Sequence, residues 1–388
     1  MNKAYSMWHM VRKRCFLLFC TILIANSIFV GSSYAVESDM RDNNLDEKLT
    51  YLKQMILYIE DHYKGEVTEQ KLIEGAYKGI FEATDMHSNY FTPSEFEELM
   101  RDSSGEFVGI GVVVSMKDNK ITINEVEKGA PSEKAGLQIG DVIRYIDKKA
   151  VTNTNLRAAV DSILGEMGTT VEIGVERKGH DEIMYFNIVR DKIEVNPVRY
   201  ELLKDKIGYI KLTTFNGKAS KNIDIALKGL TTKNMSGIIL DLRNNLGGSL
   251  TEAVAIADEF VSKEPIVHIE RKNEKRKTYM GTKEKLGIPV VVLVNRLSAS
   301  ASEIVASAIQ DTKSGIIVGT RTYGKGTVQE LLTTQDGGGI KLTIAEYLSS
   351  NGQKINGIGI TPDVVIEQDE KELRDMQLEK AIEVLEGK

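Results

Sequence analysis

Cysteine and histidine are scarce, with 2 and 5 in 388 residues, which leaves little for cross-links or metal-centred chemistry. Both cysteines, Cys15 and Cys20, fall in an N-terminal apolar stretch. The chain beyond it therefore has no thiol, disulfide or cysteine metal site, and its stability must come from core packing. No His-Glu-x-x-His spacing is present, so no metal and no cofactor are expected. Beyond residue 35 only His62, His87, His180 and His268 remain, and none sits in a turn suited to a histidine-based triad. Also missing are basic blocks, internal repeats and low-complexity segments. The run from Arg271 to Lys277 reads as a solvated hairpin. Formal net charge is −6 and becomes −10 once the four N-terminal positive charges are removed, which argues against nucleic acid as a partner. With 41% hydrophobic and 27% charged residues, the composition excludes extensive disorder and a multi-pass membrane protein. The length suits two or three domains.

The first thirty-five residues run basic (Lys3, Arg12, Lys13, Arg14), then apolar (Phe16 to Val30), then small (Gly31 to Ala35). That order is a secretory leader, with Ser33 and Ala35 fitting the cleavage rule. The apolar part, roughly fifteen residues against the twenty or so of a full span, leaves open an uncleaved short anchor. Either way the expected location is extracytoplasmic: secreted, or attached to the outer side of the membrane. Bulky Phe19 makes a lipid attachment at Cys20 a poor reading.

Residues 36–104 read as helical, with Leu49, Leu52, Ile56 and Ile59 on one stripe and Leu72, Ala76 and Ile80 on the next. These stripes suit either a core or a homodimer surface. Thr92-Pro93-Ser94-Glu95 opens a further helix through a capping box. Residues 105–191 turn β-rich, with turn and strand signals from Leu137 to Ile143 and a helix from Asn155 to Leu164. From 192 to 388, apolar strands (207–212, 237–242, 290–294, 316–319) alternate with helical stretches, which predicts an α/β core with a largely parallel sheet. A charged amphipathic helix over 369–385 ends the chain.

Two segments carry chemistry. Ser298-Ala299-Ser300-Ala301-Ser302-Glu303 follows a strand and opens a helix, where free N–H groups and the helix dipole favour an oxyanion. Alone, these serines fit better as caps of the helix and fillers of a tight turn. Gly324-Lys325-Gly326 follows the strand 316–319. A helix of about 16 Å leads away from the serines, and a returning strand at about 3.3 Å per residue brings the lysine back beside them. Such a lysine is a base only if burial or a neighbouring charge lowers its pKa. Residues 319–325 also match the start of a phosphate-binding loop, with Asp241 as a magnesium-holding strand end. That match fails at Gly326, where a Ser or Thr is needed, and no helix follows.

Together with Leu240-Asp241-Leu242-Arg243-Asn244-Asn245-Leu246-Gly247-Gly248 and Tyr323-Gly324-Lys325-Gly326-Thr327-Val328-Gln329, the serine segment resembles the carboxyl-terminal processing proteases, also called tail-specific proteases. The resemblance extends to Asp85-Met86-His87-Ser88, Thr361-Pro362-Asp363 and Gln377-Leu378. It implies an α/β protease core of the ClpP/crotonase type, an inserted β-rich PDZ domain and a helical N-terminal region. It makes Ser300, by the family spacing, the nucleophile, Lys325 the general base and Gln329 the residue orienting the lysine. It places the oxyanion hole at Gly247 or Gly248 with Ala301, and Glu303 and Asp311 in support. Val108, Gly109, Ile110 and Gly111 become the carboxylate loop of a module that takes a peptide as an added strand. Substrates would then be proteins with exposed apolar C-termini. Three departures stand out: Leu246 and Met86 replace prolines, the first expected to loosen the oxyanion loop. Leu164 replaces an arginine linked to coupling between PDZ and active site. A scaffold that binds tails without cutting them is the rival reading, disfavoured because no catalytic residue is missing.

Overall fold

The computed structural model describes residues 35–151, 156–284, 286–369 and 372–387. The leader, with both cysteines, lies outside the described residues except for residue 35. The chain divides into two compact units, one ending at Gly79 and one running from Ile80 onward. Helices α1 (Ala35–His62) and α2 (Glu69–Glu82) carry the N-terminal apolar stripes. Leu45, Leu49, Leu57 and Ile59 are exposed, and Leu52 and Ile56 are only half-buried, so the first stripe forms no buried core within the chain.

In the second unit, β1 (Asn89–Phe91) leads into α3 (Pro93–Ser104). The predicted capping box is present, with Glu95 accepting from the Thr92 N–H at 2.8 Å, and the helix stops at Gly105, which takes the left-handed conformation (φ 70°). The β-rich module follows: β2 (Glu106–Gly109), β3 (Val112–Lys117), β4 (Lys120–Val126), α4 (Pro131–Ala135), β5 (Val142–Ile146), β6 (Lys149–Ala150), α5 (Leu156–Ile163), β7 (Thr170–Glu176), β8 (Met184–Val189) and β9 (Asp191–Glu194). Strands run in the order β3-β4-β5-β7-β8 around a core of Ile121, Ile123, Ile143, Ile173 and Val175. Leu137 and Ile143 are buried, but Ile139 between them is 70% exposed. Entry strand β2 pairs antiparallel with exit strand β9, so the module's two ends leave side by side, as an insertion requires.

The remaining chain contributes β10 (Val198–Leu202), β11 (Ile207–Leu212), α6 (Ala219–Thr231), β12 (Gly237–Asp241), α7 (Leu250–Ala257), β13 (Pro265–Arg271), β14 (Lys277–Met280), β15 (Val290–Val294), α8 (Ala301–Asp311), β16 (Ile316–Gly319), β17 (Thr327–Thr333), β18 (Gly339–Leu348), β19 (Val364–Val365) and α9 (Met376–Leu385). The order β10-β11-β12-β15-β16-β19 is parallel but for β10. β12 and β15 are buried throughout because helices cover both faces. Alternate residues divide accordingly: Ile238, Leu240, Val290 and Val292 pack into the larger core with α6, α7 and α8, while Ile239, Val291 and Leu293 face α9. A second, antiparallel sheet, β1-β18-β13-β14 with β17 on β18, stands outside the predicted elements except for the 271–277 hairpin. The last helix is shorter than predicted and starts at Met376, where the Asp375 side chain accepts from the Leu378 N–H.

Candidate active site

Strand β15 ends at Val294, and the chain turns through residues 295–299 into α8. Ser300 takes φ 56° and ψ −114°, a region that costs a non-glycine residue about 1–3 kcal/mol and persists only where surroundings enforce it. The three serines separate here. Ser298 is fully buried and its Oγ donates to the Leu242 carbonyl at 2.9 Å; Ser302, also buried, donates to the Asn245 carbonyl at 2.9 Å. Both are tied to backbone, whereas Ser300 lines a cleft of about 530 Å³ together with Ala301, Gly248, Lys325 and Gln329.

Glu303 holds the strained turn. Fully buried, it accepts from the Ser300 N–H (2.8 Å) and Lys325 N–H (2.9 Å) on one oxygen, and from Thr322 Oγ1 (2.6 Å) and the Gly324 N–H (2.7 Å) on the other. One carboxyl group thus fixes serine loop and lysine loop relative to each other. Burial pushes its pKa up against the lowering effect of these donors. Tyr347, on β18 and 1% exposed, adds a second tie: its hydroxyl lies 3.1 Å from the Ser300 carbonyl and also meets the Lys325 carbonyl.

Gly326 lets the lysine loop sit against the neighbouring backbone, since a Cβ there would stand 2.4 Å from the Asn356 nitrogen. Lys325 itself is half-buried, and its pKa is lowered, first by burial and then by the positive charge of Lys341; Asp85 and Glu303 oppose this. His87 is held below its usual value by burial and by Lys325. A lowered lysine beside a serine on a helix N-terminus can accept the hydroxyl proton.

The oxyanion candidates part company. The Gly247 N–H is engaged by Asn245 Oδ1 at 2.9 Å and is not free for a substrate oxygen. Gly248 lines the cleft with φ 145°, and a Cβ there would meet the Phe215 carbonyl at 2.5 Å. Phe215 bonds to the residues on either side of Gly248, through Gly247 O (3.0 Å) and Ser249 N (2.8 Å), leaving the Gly248 N–H free of that ladder. With the N–H of Ala301, the first residue of α8, it forms the available donor pair. Leu246 in this loop is 69% exposed, while its neighbour Asn245 is fully buried and anchors the loop to the Leu212 carbonyl at 2.8 Å.

Gln329 lines the cleft, but its Nε2 donates to Thr327 Oγ1 (2.8 Å) and Thr343 Oγ1 (3.1 Å). Thr343 passes the connection to Asp85 at 3.2 Å, and Asp85 also receives Ser88 Oγ at 3.0 Å. Asp311 stands apart at the far end of α8, about 15 Å along the helix. It accepts from Ser349 Oγ (2.6 Å) and the Asn351 N–H (2.9 Å), so it anchors a loop outside the cleft. Tyr347, Lys341 and the Asp85–Thr343 link escaped the sequence reading. Only Asp85 and His87 left a signal, in the Asp-Met-His-Ser motif. Of the four carboxylate-loop candidates, Ile110 and Gly111 line a second groove of about 170 Å³ between β3 and α5, while Val108 and Gly109 are taken up in the β2–β9 ladder. Among the described residues no three His, Cys, Asp or Glu side chains gather to hold a metal ion.

The family model for peptidase family S41 matches residues 206–366, and a PDZ domain model matches residues 108–185. A carboxy-terminal-processing protease of Bartonella bacilliformis is 35% identical over 368 residues, covering 92% of this chain and 83% of its own. The carboxy-terminal processing protease CtpA of Bacillus subtilis is 34% identical, over 92% and 77% of the two chains. The chain belongs to peptidase family S41. As an S41 member with a PDZ domain it is a serine-type peptidase of the C-terminal processing kind. A Bacteroides fragilis protein assigned to the S41 proteases shares the fold, with a TM-score of 0.51 at 18% identity over 79% of this chain and 87% of its own. Family placement also disposes of the phosphate-loop reading of residues 319–325: in this S41 chain strand β17, and not a helix, follows the lysine.

Proposed function

We propose that this S41 peptidase cleaves exported proteins that its PDZ groove has engaged by their apolar C-terminal tails, with Ser300 as nucleophile and Lys325 as base. The observation that carries the reading is the Glu303 clamp, which binds the amides of Ser300 and Lys325 on a single oxygen. In the acylation step neutral Lys325 takes the Ser300 Oγ proton as Oγ bonds to the scissile carbonyl carbon. The oxyanion that forms is met by the N–H groups of Gly248 and Ala301. Collapse breaks the C–N bond, and Lys325 returns the proton to the leaving amine. Water, deprotonated by the same lysine, then releases the acyl group. Gln329 orients the lysine from the cleft wall, where Thr327 and Thr343 hold its amide.

The leader supports action outside the cytoplasm, with the enzyme secreted or tethered at its N-terminus, and the exposed stripe of α1 is the surface for a homodimer. Gating by the PDZ domain is supported by α3, which lines the catalytic cleft through Leu99 and Ser103 and the peptide groove through Glu98 and Arg101. The test is a peptide with an apolar C-terminus incubated with wild type, Ser300→Ala and Lys325→Ala. Both variants are expected to lose cleavage by about 10⁴-fold or more while melting as wild type does. Activity persisting in either one would overturn the assignment of that residue.

A further inference from the structure

The peptide groove is walled on one side by residues from outside the PDZ module. Beside Ile110, Gly111 and Leu164, Arg101 on α3 lines it. Arg101 is half-buried, and it has no ion-pair partner among the described residues. The acid one turn back, Glu98, is already bound: it meets Arg157 of α5 at 2.8 Å. In the same groove the N–H groups of Ile110 and Gly111 lie between β2 and β3 and have no main-chain partner among the described residues, although both carbonyls are used, by Ser132 N and Glu127 N. The groove therefore brings together two unbonded backbone N–H groups and a guanidinium outside ion-pair distance of any acid among the described residues, with Asp102 in the same lining as its charged neighbour.

We infer that Arg101 completes the site for the substrate's terminal carboxylate, so that the tail is gripped between the PDZ loop at residues 110–111 and helix α3. A carboxylate accepts in-plane bonds from a guanidinium and from amides at once, a combination stronger than neutral hydrogen bonds. The consequence reaches the second site. The C-terminal end of α3 is bonded through the Ser103 carbonyl to the Gly217 N–H at 3.0 Å, two residues from Phe215, which brackets the oxyanion donor Gly248. A tail held by Arg101 thus pulls on an element continuous with the catalytic cleft.

This inference rests on tail recognition by the PDZ groove, and the test separates the two. Full-length Ser300→Ala protein, with and without Arg101→Gln, is titrated with one apolar-tailed peptide in free-acid and C-terminally amidated forms. The single variant should bind the acid at least tenfold more tightly than the amide. Adding Arg101→Gln should cost about tenfold for the acid and leave the amide unchanged, and Arg101→Lys should recover part of the loss. If Ser300→Ala protein does not distinguish acid from amide, tail recognition itself falls and takes the inference with it. If it does distinguish them and Arg101→Gln distinguishes them equally well, the assignment of Arg101 alone is overturned. Equal loss for both peptides would also overturn it, because it would mark a packing role.

Discussion

The catalytic cleft and the peptide groove, both in the second unit, are built on opposite principles. Around Ser300 and Lys325 the buried side chains are saturated, with only the Gly248 and Ala301 N–H groups left for substrate: Glu303 accepts four donors, Asn245 links the oxyanion loop to β11, and among the described residues no buried side-chain nitrogen or oxygen lacks a partner. The groove between β3 and α5 is apolar on the PDZ side, with Ile110, Val112, Val160 and Ile163, and the N–H groups of Ile110 and Gly111 are left unbonded. A saturated site holds its geometry before substrate arrives, which suits chemistry that depends on a strained Ser300. An unsaturated one gains its bonds only when a ligand supplies acceptors, which suits recognition. Substitutions should therefore damage stability and rate together in the cleft and affinity alone in the groove.

The hardest blow to that contrast is Glu303→Ala. It leaves three backbone N–H groups and a threonine hydroxyl facing a void, at a cost of at least ~3 kcal/mol. The melting temperature should fall on the order of 5–10 °C, and cleavage should drop by about 10³-fold or more as Ser300 relaxes. A variant as stable as wild type would show that the clamp is not what holds the turn. Tyr347→Phe is a milder cut, removing one hydroxyl between the Ser300 and Lys325 carbonyls. Expected are a loss of about 1 kcal/mol in denaturant unfolding and roughly tenfold in kcat, with KM little changed.

The legible parts of this chain are those whose physics is local. Buried parallel strands announce themselves as unbroken apolar runs, hence 207–212 and 290–294, and the helix at Pro93 is set by four adjacent residues. The second sheet was hidden because β17 and β18 are only half-buried for most of their length and lack the apolar run. Choosing Ser300 among three serines took a family spacing, since the bonds that occupy Ser298 and Ser302 come from Leu242 and Asn245, more than fifty residues away. The same holds for Gly247, whose N–H is lost to a side chain two residues back, and for Asp311, whose acidity suggested support for the site although helix length carries it out of the cleft. Tyr347 and Lys341 had no signal, because nothing in a strand's sequence says which loop its side chains will meet.

A smaller effect should appear in pH rather than in rate. Lys341 lines the cleft, and its charge disfavours protonated Lys325, as burial does, against Asp85 and Glu303, which favour it. On the proposed mechanism neutral lysine is the reactive form, so cleavage should rise with pH through the Lys325 pKa. Removing a nearby positive charge raises that pKa. Lys341→Gln should therefore move the rising limb of the pH–rate profile to higher pH, with a nearly unchanged plateau. A limb that stays in place would mean that burial alone tunes the base.

The smallest expected effect lies at the groove's rim. Glu98 and Arg157 join α3 to α5 across 2.8 Å, yet both side chains are about 44–45% exposed, and solvent screening leaves such a pair worth less than about 1 kcal/mol. Glu98→Gln should leave the melting temperature within about 2 °C of wild type, and salt should narrow even that difference. Its effect on binding has the opposite sign from a loss of structure. Glu98 stands one turn from Arg101, so removing its negative charge strengthens the field at the groove's donors. The free-acid peptide should bind slightly more tightly, by less than about threefold, and the amidated peptide unchanged. Weaker binding of both would make the pair a structural strut and erase the division between a site built to be rigid and one built to be filled.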